Sequence, residues 1–173
     1  MHLKLIALLV FTLFAAACGG PRTLTVPVRG VAPLNPNDAQ ESTPVDVRIW
    51  PLAGADRFKA ATVDQLWTDA KTVLGADLLG DAKVFTVFPG AVADPMVEQK
   101  IEVPDSARFL GVLAMYQHSD AQDQRATVVS IDDAQEHGLI LTGFAVHLQL
   151  PPAATTPTPA AVPAAAPAAA PGK

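Results

Sequence analysis

Apolar and polar residues alternate with a period of two through much of the chain between residues 22 and 150. Four runs show the pattern clearly, over residues 23–28, 45–50, 98–103 and 144–149. Their apolar members are Leu24, Val26, Val28, Val45, Val47, Ile49, Ile101, Val103, Phe144, Val146 and Leu148. Successive side chains of a strand point to opposite faces, so each run predicts a strand with one buried face.

Further strands follow from other patterns. Residues 108–116 (RFLGVLAMY) are apolar at both alternating positions, which predicts a strand inside a sheet, and residues 84–88 and 125–131 are further candidates. Pro27 has no backbone N–H, so the first strand should lie at an edge or a bulge. Seven or eight short strands separated by Pro, Gly, Asn and Asp predict an all-β, antiparallel β-sandwich.

One segment, residues 62–79, has helical periodicity instead. The apolar residues of this segment recur at helical spacing: Leu66, Ala70, Val73 and Leu74. Thr62 followed by Gln65 at the third position has the form of a capping box, and Gly75 is a helix stop. We therefore predict a short helical insertion between strands, in two pieces divided at Gly75.

The N-terminus has the form of a secretion signal. Lys4 precedes an apolar run from Leu5 to Phe14, which ends in three alanines. The run has about ten residues, whereas a membrane-spanning helix needs about 20. Alanines followed directly by Cys18, the only cysteine, resemble the lipobox of bacterial lipoproteins. The hypothesis is a cleaved signal over residues 1–17 and a lipidated tether over residues 18–21; an ordinary signal with an incidental cysteine is the alternative.

The C-terminal segment, residues 151–173, contains 10 Ala and 7 Pro among 23 residues. Frequent proline prevents helix propagation despite the alanine. The prediction is a disordered, polyproline-II-rich tail outside the sandwich domain of residues 22–150. The tail is either a tolerated extension without function or a spacer or weak wall-contacting arm.

Charge limits the classes of partner. Without residues 1–17 the chain has 11 basic and 17 acidic residues, a net charge of −6. Nucleic acids and anionic bilayer surfaces attract clustered Lys and Arg, and the sequence has no such cluster. We expect neither as a direct partner, apart from membrane attachment through the lipid.

Candidate catalytic chemistry is sparse. The sequence has no Gly-rich phosphate loop, no HExxH and no Gly-x-Ser-x-Gly. Two polar clusters could hold a cation: His118, Asp120 and Asp123, and then Asp132, Asp133, Glu136 and His137. A solvated hairpin loop accounts for the first cluster, and turn or helix-start chemistry accounts for the second. We expect no enzyme, no metal site and an outward-facing His147.

Several segments together resemble a known family. They are Leu34–Asn37 with Ser42–Leu52 (LNPN, STPVDVRIWPL), Phe58 with Val63–Trp67, Leu74 with Asp77–Leu79, Pro89–Gly90, Phe109–Tyr116 (FLGVLAMY) and Arg125. Their order after a lipobox resembles the type VI secretion outer-membrane lipoprotein family, TssJ, also called SciN or VasD. Gln124 stands where the family commonly has Trp, and the Ala/Pro tail is a second departure.

This resemblance implies a transthyretin-like sandwich with added helical elements and no catalysis. It implies diacylglycerol and an N-acyl chain on Cys18, no other cofactor, and a position at the periplasmic face of the outer membrane, with which Gly19 is compatible. It also implies binding to the periplasmic domain of the large inner-membrane subunit, TssM, and indirectly to TssL.

The predicted partner-binding site is the loop between the first two strands, residues 34–44. Loops at the end of a rigid sandwich commonly carry binding residues. The candidates are Asn35, Asn37, Asp38, Gln40 and Glu41, with Asn35–Pro36 setting the turn; their alternative role is to keep a connecting loop soluble. Two other functions stay open. A lipoprotein that binds a small ligand or glycan would need exposed aromatic residues, and a hydrolase would need a nucleophile–base pair.

Overall fold

The computed structural model describes residues 20–117 and 125–148. They form two sheets packed face to face, which confirms the predicted β-sandwich. The strands are β1 (Arg22–Leu34), β2 (Val45–Leu52), β3 (Lys83–Val87), β4 (Pro89–Gly90), β5 (Val97–Val103), β6 (Phe109–Met115), β7 (Ala126–Ser130), β8 (Leu139–Gly143) and β9 (Ala145–Leu148). The helices are α1 (Asp56–Ala60), α2 (Val63–Leu74) and α3 (Ile131–His137), and a 3₁₀ turn (Gly75–Asp77) follows α2.

The first sheet is built around β1. Its strand order is β4-β1-β8-β9, and β5 also pairs with β1. The β5 and β9 pairings are antiparallel, whereas β1 runs parallel to both β4 and β8. The sandwich is thus mixed rather than purely antiparallel. The parallel β8 pairing is possible because α3 precedes β8 and lets the chain enter the sheet in the direction of β1.

The first strand is an edge strand over only part of its length. From Arg22 to Pro27 it pairs with β5 alone, and pairing with β8 begins at Val28. Pro27 therefore lies where β1 has a single neighbour, as its missing N–H predicts. Beyond Val28 the strand has neighbours on both sides.

The second sheet has the order β3-β2-β6-β7, with every pairing antiparallel. The predicted interior strand is β6, which lies between β2 and β7. Its two faces contact different cores, since Val112 belongs to the core between the sheets and Leu113 to a second core outside them. Burial on both faces explains why residues 108–116 lack alternation.

The main core lies between the sheets and contains the apolar side chains predicted from the period-two pattern. Leu24, Val26 and Val28 of β1 are each at most 2% exposed, and they pack with the inward-facing residues of β2, β5, β6 and β8. Burial of this kind contributes about 25 cal/mol for each Å² of apolar surface. His147 on β9 is exposed, as the alternation indicates.

A second core lies under the helical insertion. It consists of Trp50, Leu52, Phe58, Leu66, Leu74 and Leu113. The start of α2 confirms the capping box: the Thr62 hydroxyl accepts from the Gln65 N–H at 3.2 Å, and Gln65 Oε1 accepts from the Thr62 N–H at 2.9 Å. Gly75 terminates α2, also as predicted, with a positive φ of 52°.

The short helix α1 was not predicted. Its N-cap, Ala55, has no side-chain hydrogen bond, so the sequence carries no start signal there. The helix is held instead by Phe58, whose ring packs so closely on Gly111 of β6 that a Cβ at Gly111 would lie 2.5 Å from it. Within the described residues, no helix has the length and apolarity that crossing a bilayer requires.

A loop end of the sandwich as the candidate partner-binding site

Asn35 directly follows β1 and starts the predicted binding loop. The residue is only 2% exposed and its φ is 44°, in the left-handed region that asparagine tolerates better than most residues. The chain turns out of β1 here, with the side chain of Asn35 directed into the molecule. Asn35 is therefore a buried polar residue that requires hydrogen-bond partners.

Those partners lie in three separate connections between elements: the β1–β2 loop itself, the segment that follows β6, and the β8–β9 turn. Asn35 Nδ2 donates to Thr43 Oγ1 at 2.7 Å and to the Pro44 carbonyl at 3.1 Å, both within the loop itself. Its Oδ1 accepts from the Gln117 N–H at 2.7 Å, at the end of β6, and its backbone N–H donates to the Gly143 carbonyl at 2.7 Å, in the β8–β9 turn. The structure thus gives Asn35 a positioning role, because its amide is engaged inside the domain.

The base of the loop is closed by further hydrogen bonds. The Leu34 N–H donates to Ser42 Oγ at 3.2 Å, and the Thr43 N–H donates to the Leu34 carbonyl at 2.9 Å. The Thr43 hydroxyl donates to the Asn35 carbonyl at 2.7 Å. The two ends of the loop, residues 34–35 and residues 42–43, are consequently fixed to each other before the chain enters β2.

Asn37 organises the tip of the loop. Its Oδ1 accepts from the backbone N–H groups of Ala39 and Glu41 at 3.0 and 2.9 Å, and its Nδ2 donates to Glu41 Oε2 at 3.1 Å. Gln40 has a φ of 62°, which completes the tight turn. The exposed residues at the tip are Asp38, Ala39, Gln40 and Glu41.

The sign of the charge at this tip is negative. Asp38 and Glu41 are exposed there, and no Lys or Arg occurs between Gly30 and Val47. An exposed acidic tip suits a partner surface that carries basic side chains or hydrogen-bond donors.

The neighbouring β8–β9 turn is also held in place. Tyr116 donates its hydroxyl proton to the Ala145 carbonyl at 2.7 Å, and its ring meets Phe144 edge to face at 6.1 Å between centroids. Burial raises the pKa of the Tyr116 phenol. The three connections at this end of the sandwich are therefore mutually fixed, and the acidic tip projects from a rigid base.

Other predicted candidates have different outcomes. Cys18, the tail and the cluster of His118, Asp120 and Asp123 lie outside the described residues. In the second cluster, Asp133 belongs to the first turn of α3, where its N–H donates to the Ser130 hydroxyl at 3.1 Å and its Oδ2 accepts from that hydroxyl at 2.6 Å. Across residues 20–117 and 125–148, no three His, Cys, Asp or Glu residues group as metal ligands.

Trp67 is 38% exposed on α2. The guanidinium carbon of Arg48 lies 3.5 Å from the centre of its ring, and Arg48 Nη1 donates to the Trp67 carbonyl at 3.0 Å. The stack joins α2 to β2 and accounts for the position of the indole. Sequence reasoning did not identify Ser42, Thr43 or Gln117 as supports of the loop, and no local pattern distinguishes them.

The described residues form a two-sheet sandwich in which α1 and α2 cover the outer face of the second sheet and an ordered polar loop lies at one end. The sequence pattern of the type VI secretion lipoprotein family, which includes VasD, EvfM and TssJ, matches residues 22–150, and the chain belongs to this family. The resemblance found in the sequence is thereby confirmed. A comparison with curated protein sequences finds no match.

Solved structures agree with this assignment. Lip of Serratia marcescens, a membrane-bound component of the type VI secretion system, is 20% identical, with a TM-score of 0.63 over 73% of this chain and 96% of that chain. TssJ1 of Pseudomonas aeruginosa, a lipoprotein of the same system, is 22% identical, with a TM-score of 0.59 over 77% and 100% of the two chains. A chain in the structure described as the TssM C-terminal domain from EAEC is 25% identical, with a TM-score of 0.60 over 75% and 98%.

Proposed function

We propose that the chain is the outer-membrane lipoprotein of a type VI secretion membrane complex, and that it anchors the periplasmic domain of TssM to the outer membrane. Lipid on Cys18 supplies the membrane attachment after removal of residues 1–17, and TssL joins the complex indirectly through TssM. Family membership supports this role, as does the similarity to a chain in a TssM structure.

The contact surface in this proposal is the exposed tip of the β1–β2 loop. Asp38, Gln40 and Glu41 meet the partner, while Asn37 gives the tip its shape and Asn35 holds the loop to the sandwich. The observation that carries the assignment is the hydrogen-bonded base, because a preorganised loop loses little conformational freedom on binding. The acidic side chains add electrostatic complementarity to a basic or donor-rich surface.

The direction of the loop supports a bridging role. The tether enters β1 at Arg22 and the loop leaves β1 at Leu34. At about 3.3 Å for each residue, this strand separates its two ends by about 40 Å. The membrane attachment and the proposed contact therefore lie at opposite ends of the sandwich, so the loop faces away from the bilayer that holds Cys18.

The test is to replace residues 37–42 with a short Gly-Ser link and measure binding to the TssM periplasmic domain. Asn35 and Thr43 remain, so the sandwich should stay folded by circular dichroism. Most of the loss should appear as faster dissociation, as is usual for interface changes. A double variant at the opposite end, Asp105→Ala with Ser106→Ala in the exposed β5–β6 turn, is the matched control and should bind like the parent chain.

A second pair of variants isolates the charge. Asp38→Asn and Glu41→Gln keep the size of each side chain, and the new side-chain amide at position 41 can still accept a hydrogen bond from Asn37. The double variant should bind more weakly, with a smaller dependence on salt, because screened charge–charge attraction has been removed. Calorimetry that gave one affinity for the parent, the shortened loop and the charge variant would move the contact face elsewhere on the domain.

A further inference from the structure

Strand β7 is an edge of the second sheet. In the described part of the chain it pairs with β6 alone, so the backbone groups on its other side meet no strand there. Its residues from Ala126 to Val128 are only half-buried. An unpaired edge of this kind is a template to which another strand can add.

Two hydrogen bonds show which backbone groups of β7 point to the free edge. The Ala114 N–H donates to the Arg125 carbonyl at 2.8 Å, and the Ile131 N–H donates at 3.1 Å to the carbonyl of the residue directly before β6. Both bonds continue the register of the β6–β7 ladder, so residues 125, 127, 129 and 131 direct their backbone groups to β6. By alternation, the N–H and C=O groups of Ala126 and Val128 face the free edge.

A groove of about 490 Å³ runs along this edge. One wall is the first half of β7, and the other is the end of α1 and the start of α2, with Phe58, Ala61 and Val63 among its residues. Ala61, Val63, Ala126 and Val128 pack against the second core but are only partly buried. A free edge beside an apolar groove suits an extended peptide, whose main chain supplies hydrogen bonds and whose alternate side chains fill the groove.

The charged residues that line the groove are Lys59, Asp64 and Arg125. Lys59 and Arg125 take part in no salt bridge among the described residues, and the buried Nε of Arg125 has no hydrogen-bond partner there. Alternation places Arg125 on the same face of the strand as Val129. Two cations against one carboxylate give the groove an excess of positive charge, which suits an acidic side chain on the occupant.

We propose that β7 accepts an extended segment of a partner protein as an added antiparallel strand, with the sequence pattern apolar–any–apolar–acidic. The two apolar residues lie opposite Val128 and Ala126 and exchange backbone hydrogen bonds with them. Their side chains share the face of Val128 and Ala126, so they meet the apolar lining beside the helices. The acidic residue lies opposite Arg125 in a non-hydrogen-bonded pair, where side chains come closest and an opposite charge stabilises the added strand.

Two other occupants fit less well. The C-terminal segment, residues 151–173, contains no Asp or Glu to face Arg125, and seven of its residues are prolines, which have no N–H to donate. A second copy joined through β7 about a two-fold axis would point the two β1 strands in opposite directions. The short tethers before Arg22 would then not both reach the bilayer that holds Cys18 in the proposed function.

Hydrogen exchange measured by NMR tests the pairing in the complete mature chain, residues 18–173, with Cys18→Ser to leave it without lipid. The probe is the blocked peptide Thr-Val-Thr-Val-Asp-Thr, and its matched control has Lys in place of Asp. The acidic peptide should slow exchange at the Ala126 and Val128 amides, which face the free edge, more than at Thr127 and Val129, which already donate to β6. The Lys peptide should bind about tenfold more weakly, because it opposes like charges at Arg125.

Two variants separate strand addition from chance contact. Arg125→Glu should reverse the preference, so that the Lys peptide binds about tenfold more tightly than the Asp peptide. Ala126→Pro removes only an N–H that faces the free edge, so the β6 ladder and the melting temperature should be kept while the acidic peptide binds about tenfold more weakly. If Ala126→Pro does not fold, the charge reversal still decides.

The proposal is overturned if neither peptide slows exchange at Ala126 and Val128 at millimolar concentration, if the two peptides bind equally, or if Arg125→Glu leaves the preference unchanged. Slow exchange at these two amides without any peptide would also overturn it. Its loss on deletion of residues 151–173 would then assign the edge to the tail, and its dependence on protein concentration would assign the edge to a second copy. None of these measurements involves the β1–β2 loop, so they do not depend on the proposed contact with TssM.

Discussion

Replacing Asn35 with Ala tests whether the loop end of the sandwich is organised by one buried amide. The substitution removes Nδ2, which donates to Thr43 Oγ1 and the Pro44 carbonyl, and Oδ1, which accepts from the Gln117 N–H. It also places alanine at a φ of 44°. Residue 35 would keep only its two backbone hydrogen bonds, to the Gly143 carbonyl and from the Thr43 hydroxyl.

The size of the effect follows from these contacts. Each of the three side-chain hydrogen bonds contributes about 1 kcal/mol, since their partners are only partly buried. Alanine in the left-handed region costs about 1 kcal/mol more. The free energy of unfolding should therefore fall by about 4 kcal/mol, which is a large share of the roughly 5–15 kcal/mol typical of a domain.

Urea denaturation of the sandwich domain, followed by circular dichroism, measures this loss. Asn35→Gly should lose about 3 kcal/mol, because glycine accepts the positive φ without strain and only the hydrogen bonds disappear. Asn37→Ala, whose hydrogen bonds lie at the exposed tip, should lose under about 1 kcal/mol. A loss below about 1 kcal/mol for Asn35→Ala would refute the idea that this amide joins the three connections.

Three further predictions concern the anchor, the tail and one buried phenol. Cys18→Ser should abolish incorporation of a fatty-acid probe and abolish secretion, and should release the protein from membranes or leave an unprocessed precursor in the inner membrane; unchanged label and fractionation would exclude the lipoprotein interpretation. Deletion of residues 151–173 should leave the melting temperature of the domain nearly unchanged, because a Pro/Ala segment buries little apolar surface, and a loss of several degrees would place the domain boundary elsewhere. The raised pKa of Tyr116 keeps its phenol neutral in the folded state, so stability should hold below the ordinary tyrosine pKa of about 10 and fall as the pH rises above it. Tyr116→Phe should remove that alkaline dependence in pH-resolved melting curves, and an unchanged slope would assign it to another group.

Local signals in the sequence predicted the elements whose causes are local. The alternation in β1 places Leu24 and Val26 in the core because a strand exposes alternate faces, and this needs no knowledge of its neighbours. The capping box at Thr62 and the stop at Gly75 are likewise complete within a few residues. These features were recoverable because the sequence contains both members of each interaction at short range.

The sequence does not show which strands pair with each other or in which direction. Nothing near β1 in the sequence shows that β1 runs parallel to β8. The direction of β8 depends on α3, which directly precedes β8 and lies more than 100 positions after the start of β1. The helix α1 was missed for a related reason. Its five residues have no cap of their own and depend on the packing of Phe58 against Gly111, which belongs to a distant strand.

In the candidate site, too, the local feature was predictable from the sequence and the long-range contact was not. An asparagine before a proline predicts a turn, and a turn was correctly expected at Asn35. Its burial was not expected, because one of its partners, Gln117, is 82 positions away in the chain. Residues that hold a binding loop in place are thus harder to find from a sequence than the exposed residues at its tip.

The length and direction of β1 have a mechanical consequence. A pull applied between Arg22 and Leu34 runs along the axis of this single strand. The hydrogen bonds that join β1 to β5 and β8 cross that axis, so the load is shared by many bonds in shear instead of opening them one after another. A domain loaded in this way resists unfolding along the line from Arg22 to the loop far better than across it, which suits the proposed attachment at one end and the proposed partner contact at the other.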